Sequence, residues 1–336
     1  MASESTTIAE AIERYLSNIK TARSEHTART YANALSVFSR VLIERWKDPE
    51  KTPIAKLNED GIAWLAAYLK TFSSATEQLY LTATAGFYEF VAAERMSDIN
   101  LPRLRLLIRQ RSRRPGVRLP QFPSDDIERI ISFMSDPAKF LPADSNNPDN
   151  ERLRAMRDAA FLLTLADTGL RVHEACSLRR GDIDWNEGRA LVIGKGNQQA
   201  LVRFSSRSMK ALKEYLSVRS SLDGGSGRPL TSLPLFARHD KGAGKKVKPI
   251  TTTTGRNIVT ERVEQILGKE SVGRITPHSF RHYFVTTVLR GSGNLKLAQE
   301  LARHKNIQVT QRYAHLSDDE LDKGYYEIFE KREKEK

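Results

Sequence analysis

Six polar residues in the C-terminal half of the chain carry side chains that suit one kind of chemistry. They are Arg171 in T-G-L-R-V-H-E, Lys195 in I-G-K-G-N, His278 and Arg281 in T-P-H-S-F-R-H, His304 in L-A-R-H-K and Tyr313 in T-Q-R-Y-A-H-L. Together they supply a hydroxyl nucleophile, three cations and two imidazoles. Such a set suits attack on a phosphodiester, where negative charge grows on the phosphate oxygens.

The spacing says how each group would have to be presented. His278 and Arg281 lie three positions apart and share a helix face, and Pro277 fits the first turn of that helix. The pair can hold two oxygens of one phosphate. His278 and His282 are also four apart, as in zinc metalloprotease helices, but Ser279 stands where that pattern needs Glu and no acidic cluster follows, so no metal is expected. Arg171 follows Thr168-Gly169-Leu170 at a break between two helical runs, where a guanidinium can aim its fork at an anion drawn to the helix start. Glu174 is placed to hold that arginine in an ion pair. Lys195 stands at the tip of a glycine-flanked hairpin, from which an ammonium can pass a proton to a leaving oxygen. The G-x-x-x-x-G-K-[ST] loop is absent, so no nucleotide cofactor is expected.

His304 and Tyr313 are nine residues apart, and nine steps of about 100° would put them on opposite faces of one unbroken helix. If both meet one phosphate, the chain must break between them, and Lys305-Asn306 is the natural place. A phenol with a reference pKa near ~10 is inert at neutral pH, but surrounding cations would make Tyr313 a competent nucleophile. Singly, each group also has a plainer structural use: a surface His or Arg, a helix-surface acid, a turn lysine or a core tyrosine.

The elements that must position these groups can be read from hydrophobic periodicity. Ile8, Ile12, Tyr15, Leu16 and Ile19 mark one helix, and Tyr31, Leu35, Phe38, Val41 and Leu42 a second. A third runs through Ile62, Leu65 and Leu69. Ser74 with Glu77 reads as a capping box opening a fourth helix through Leu79, Phe87, Phe90 and Val91. Residues 1–100 therefore read as a helical bundle. From 101 to 122 the prolines at 102, 115 and 120 interrupt the pattern, with Pro123 just beyond, and Arg103, Arg105, Arg109, Arg111, Arg113, Arg114 and Arg118 appear with no acid among them. That stretch reads as a linker that also tracks a phosphate backbone. A second domain, 123–316, begins with Ser124 as a helix cap followed by Asp125 and Asp126. It continues with a long helix from about Arg152 to Leu165, which stops at Thr168-Gly169. Three short strands follow at Ile183–Trp185, Ala190–Ile193 and Leu201–Phe204, and everything after about Ile250 is helical in pattern. The last segment, 317–336, carries a small apolar stripe of Leu321, Tyr325 and Ile328.

The chain has 336 residues, room for about two domains. At 39% hydrophobic it can bury a core, and a net charge of +13 points to a polyanionic partner. A single cysteine, Cys176, excludes an internal disulfide framework and fits a reducing compartment. No signal-like N-terminus or bilayer-length apolar run is present, so an intracellular, cytoplasmic protein is expected.

Taken in order, T-G-L-R-x-x-E, a G-K-G-N hairpin, T-P-H-S-F-R-H and L-x-x-H followed by tyrosine resemble the tyrosine recombinase (phage integrase) family, nearest to the Xer-like and phage or transposon integrases. The resemblance covers residues 120–316, while residues 1 to about 100 match the family's helical, SAM-like core-binding domain in size and pattern only. It implies a mainly α fold with a small antiparallel sheet in a mixed catalytic domain. It also implies that Tyr313 attacks the scissile phosphate, leaving a 3′-phosphotyrosine and a free 5′-hydroxyl. Arg171 and Arg281 would then clamp the non-bridging oxygens with His304 as third donor, Lys195 would be general acid and His278 base, and Glu174 would support the first arginine. Neither metal nor ATP is implied.

The partners implied are double-stranded DNA at specific sites and further copies of the chain, a dimer per site and a tetramer through a four-way junction, with accessory proteins or a partner recombinase as additions. The segment 317–336 would dock on a neighbouring protomer, and the two domains would clamp the duplex. The same chemistry also belongs to type IB topoisomerases, and a non-catalytic DNA-binding module is a further alternative. One departure stands out. The family usually has Gly before the second histidine, whereas this chain has Ala302-Arg303-His304, and an arginine there would either crowd the turn or add a phosphate contact.

Overall fold

The computed structural model describes residues 6–45, 47–113, 123–140, 148–194, 199–240, 242 and 246–311. The chain divides into two compact units, Met1–Val117 and Arg118–Lys336. The N-terminal unit holds α1 (Ile8–Ala22), α2 (Glu25–Glu44), α3 (Asp60–Tyr68), α4 (Ser74–Ala93) and α5 (Leu101–Arg111). Thr7 and Glu10 close a reciprocal capping box on α1, and Ser24 caps α2 through the Thr27 N–H. The inward stripes meet in one core built around Ile8, Leu35, Phe38, Leu42, Leu65, Phe87 and Tyr88, each at 0% exposure.

Two expectations fail in this unit, each for a physical reason. The cap of α4 is Ser73, whose hydroxyl accepts from Thr76 N–H, so the Ser74–Glu77 box is displaced by one residue. Glu77 instead turns into the protein, at 1% exposure, and takes Lys70 and Arg113 as partners. The second failure is the linker. Residues 101–111 are helical, with Asn100 as cap and Pro102 in the first turn, where a missing N–H does no harm. Leu104 is buried, and Leu101, Leu107 and Ile108 pack on the bundle core. Arg103 pairs with Glu59 and Asp60, Arg105 with Glu89, and Arg113 with Glu77. These three arginines serve the fold of the unit rather than an extended, phosphate-tracking linker. Arg109 and Arg111 are exposed near the end of α5 and pair with no described carboxylate. Arg114 and Arg118 lie outside the described residues.

The C-terminal unit contains α6 (Ser124–Met134), α7 (Pro137–Phe140), α8 (Pro148–Thr168), α9 (Val172–Ser177), then β1 (Ile183–Asp184), β2 (Arg189–Ile193) and β3 (Gln199–Arg203). It continues with α10 (Ser206–Val218), α11 (Ser220–Gly224), α12 (Thr252–Leu267), α13 (Pro277–Ser292), α14 (Leu295–Ala302) and α15 (Ile307–Gln311). Ser124 is the first helical residue of α6 rather than its cap, a place taken by Pro123, which has no side-chain acceptor; Asp125 and Asp126 occupy the first turn as expected. Along α8, every residue from Ala159 to Ala166 is nearly or wholly buried, as befits a helix with neighbours on several sides: α6, α9, α10 and α13 all pack against it. The sheet is antiparallel in the order β1-β2-β3, with Val192 opposite Ala200. Ala190, Val192 and Val202 point into the core. No helix among the described residues is long and apolar enough to cross a membrane.

Candidate active site

Arg171 sits at the start of α9 because α8 cannot continue past Thr168-Gly169. Gly169 has φ +59, and a Cβ there would come within 2.4 Å of the Phe284 ring. The chain turns, and Arg171 becomes the cap residue of α9. Glu174, at 2% exposure, accepts the Arg171 backbone N–H at 2.9 Å through Oε2 and the Arg171 guanidinium at 3.0 Å through Oε1. The ion pair expected between Glu174 and Arg171 is present.

Arg281 enters from the first turns of α13, one turn beyond His278. It is 3% exposed, and its two terminal nitrogens donate to the carbonyls of Gly169 and Ala302. One guanidinium therefore bridges the end of α8 and the end of α14. His278 stands on the exposed edge of the same helix, with its ring T-stacked on His282 at 4.3 Å between centroids. The protein around it, together with the charges of Arg281 and Arg171, holds the His278 pKa below the usual imidazole value. Burial, His278 and Arg281 push His282 down to about 4. Both rings are neutral near pH 7, the state in which an imidazole can accept a proton. Among the described residues, no third His, Cys, Asp or Glu joins the pair as a metal cluster.

α14 stops at Ala302 and α15 starts at Ile307, so the break required between His304 and Tyr313 lies at residues 303–306. Arg303 adopts a left-handed conformation, φ 58 and ψ 44. Its N–H reaches Glu300 O at 3.0 Å while His304 N–H reaches Gln299 O at 3.1 Å, the paired bonds of a Schellman turn. His304 then directs Nδ1 to the Thr310 hydroxyl at 2.9 Å. Burial, followed by the charges of Arg281 and Arg171, pushes its pKa down to about 4. In the tautomer that accepts from Thr310 at Nδ1, the hydrogen of the neutral ring resides on Nε2 and is available to an oxygen.

Arg171, His278 and Arg281 line one cavity of about 420 Å3. Arg256 and Thr260 of α12 and His173 of α9 also line it. Sequence reasoning missed Arg256 altogether, weighed His282 only as a metal ligand, and missed that Arg303, rather than crowding the turn, pairs with Glu174. Only the doubled histidine of H-S-F-R-H hinted at His282, and nothing near Arg256 hinted at its contribution. Lys195 lies between β2 and β3, and Tyr313 two residues beyond α15; both are outside the described residues, as is the segment 317–336.

Residues 121–320 match the Phage integrase family, and residues 12–95 match the Phage integrase N-terminal SAM-like domain. The chain is similar to Tyrosine recombinase XerC of Myxococcus xanthus, 26% identical over 326 residues that cover 95% of this chain and 97% of that one. Its fold is similar to that of the XerH site-specific recombinase bound to a palindromic difH substrate in a post-cleavage complex, with TM-score 0.63, 16% identity and coverage of 96% and 98%. It is also similar to a lambda integrase dimer bound to a COC′ core site, with TM-score 0.59, 18% identity and coverage of 92% and 95%. Relatives matched over both units do not favour the topoisomerase alternative. With two arginines and a histidine converging on one cavity, and the catalytic segment matched from end to end, the chain belongs to the phage integrase family of tyrosine recombinases, enzymes of DNA strand cleavage and rejoining.

Proposed function

We propose that this chain exchanges strands between two DNA sites, with Tyr313 as the nucleophile and the cavity at Arg171, His278 and Arg281 as the seat of the scissile phosphate. The Tyr313 hydroxyl gives its proton to neutral His278 as the phenolic oxygen bonds to phosphorus. The bond from phosphorus to the 5′-oxygen breaks, and Lys195 protonates that oxygen. Arg171 and Arg281 neutralise charge on the non-bridging oxygens, with His304 as a further donor. Reversal of the same steps, with the 5′-hydroxyl of another strand as nucleophile, rejoins the DNA. No cofactor enters, since the phosphotyrosine link conserves the bond energy. The chain acts as a dimer on each site and a tetramer in synapsis, on DNA of the cell interior, with Arg109, Arg111, Arg114 and Arg118 as backbone contacts. Glu174 is the support of Arg171.

The observation that carries this reading is the convergence of Arg171, His278 and Arg281 on one cavity, with His304 held at the adjoining turn. Incubation with nicked duplexes carrying candidate sites from beside the gene is expected to trap a detergent-stable protein–DNA adduct. An adduct that persists in Tyr313→Phe overturns the assignment.

A further inference from the structure

Arg303 occupies a place where its type is unexpected twice over. Its backbone is in the left-handed region that glycine adopts freely and a branched chain of atoms resists. Its side chain, only 12% exposed, points into the protein rather than to water. There Nη2 donates to Glu174 Oε2 at 3.0 Å and approaches Gly169 O at 3.5 Å, while Nε is a buried N–H with no partner among the described residues. Arg303 thereby shares with the Arg171 backbone N–H the one oxygen of Glu174 that the Arg171 guanidinium does not use.

We propose that Arg303 is a positioning residue that, by occupying Glu174 Oε2, keeps Arg171 from closing a two-pronged pair with Glu174 and so keeps its fork turned to the phosphate cavity. An arginine beside a lone carboxylate favours the bidentate geometry. Here the carboxylate is shared instead, one oxygen per guanidinium, and Arg171 stays 42% exposed. The link also fastens the turn that leads to His304 and Tyr313 onto the start of α9. The inference rests on the reading of Tyr313 as nucleophile and Arg171 as a phosphate clamp.

The groups facing Glu174 are Arg171 from α9 and Arg303 from the end of α14, with Arg281 of α13 on the shared Gly169 carbonyl. Burial alone would raise the Glu174 pKa, but the Arg303 charge and then the Arg171 bonds hold it below the usual carboxylate range. Loss of Arg303 lets that pKa rise. Cleavage then fails at a higher pH as the medium is acidified.

The test is single-turnover adduct formation by the full chain on a nicked duplex, followed across pH, with DNA affinity measured in parallel. Arg303→Gly suits the backbone angle, so the fold is retained. It is expected to slow cleavage on the order of 10-fold without weakening DNA binding, and to move the acid limb up by about one pH unit. Arg303→Lys, which restores a cation at Oε2, is expected to bring the limb back. In a Glu174→Gln background, where no bidentate ion pair can form, Arg303→Gly is expected to add little. A wild-type rate and unmoved limb in Arg303→Gly overturn the inference, as does an equal loss in both backgrounds. If the wild type forms no adduct, or Tyr313→Phe still forms one, the nucleophile assignment fails instead.

Discussion

In the N-terminal unit the buried carboxylates Glu59 and Glu77 are met by Arg103, Arg113 and Lys70; in the C-terminal unit the equally buried Glu174 is met by Arg171 and Arg303. The local charge differs. Around α5, Asp60 and Glu89 add two more acids, so Lys70, Arg103, Arg105 and Arg113 meet four acids. At the cavity, two guanidiniums from Arg171 and Arg303 share one carboxylate, Arg281 donates to the adjoining Gly169 carbonyl, and the nearby histidines are neutral. The first arrangement closes a helix onto its bundle. The second sets two cations on one carboxylate among the described residues, an excess of positive charge that a phosphodiester can satisfy. An arginine therefore acquires its role from the acids that reach it, and the net +13 of the chain does not show where the surplus resides.

The contrast predicts which arginines matter to chemistry and which to stability. Arg171→Ala is expected to reduce single-turnover cleavage on the order of 10²- to 10³-fold, the effect of losing one preorganised donor to a developing anion, while thermal unfolding hardly changes. A cleavage rate within a few-fold of wild type would erase the distinction. Glu77→Ala is expected to do the reverse. It leaves Lys70 and Arg113 without their buried acceptor and costs about 2 kcal/mol, less than a fully buried pair because Arg113 is 39% exposed. Denaturant unfolding measures it, with cleavage by the folded fraction unaltered.

Acid sharpens the same difference. Burial opposes ionisation of Glu59 and Glu77, but the N–H groups of Asn100 and Arg113 and the neighbouring cations hold both pKa values below the ordinary 4.5. The unfolded chain takes up these protons first. The stabilisation is therefore complete above about pH 4.5 and is lost as pH falls through the lower folded values. Hydrogen exchange in α5 is expected to accelerate across that window in the wild type, and to be faster already at neutral pH in Glu77→Ala. The smallest effect concerns salt. Arg109→Ala and Arg111→Ala are each expected to lower the salt slope of DNA binding by about one, whereas Arg103→Ala, already paired, leaves the slope unchanged.

Much of the architecture was legible because it rests on periodicity and turn chemistry. The stripes of α1 to α4, the stop of α8 at Gly169, the strands flanking G-K-G-N and the Pro277 start of α13 all follow from local residues. The break beside His304 followed from helix geometry once His304 and Tyr313 were taken to meet one phosphate. α5 escaped because its four arginines break up the stripe of Leu101, Leu104, Leu107 and Ile108, and because Glu59 pairs with Arg103 from 44 positions away. The partner of Arg303 escaped for the same reason on a larger scale, since its carboxylate lies 129 positions upstream. Periodicity reveals the face a residue presents; only the folded chain reveals what meets it.

Gly169 sets the tolerance of the whole arrangement to mutation. Its carbonyl serves Arg281 and Arg303, its backbone angle excludes most side chains, and Phe284 fills the space where any Cβ would go. These constraints are independent, so no compensating change in the ring alone opens the position. In a saturation library screened for strand exchange, position 169 is expected to return glycine only, while position 303 accepts glycine at reduced activity. A lineage could thus have gained or lost the arginine at 303 in small steps, but never the glycine it leans on.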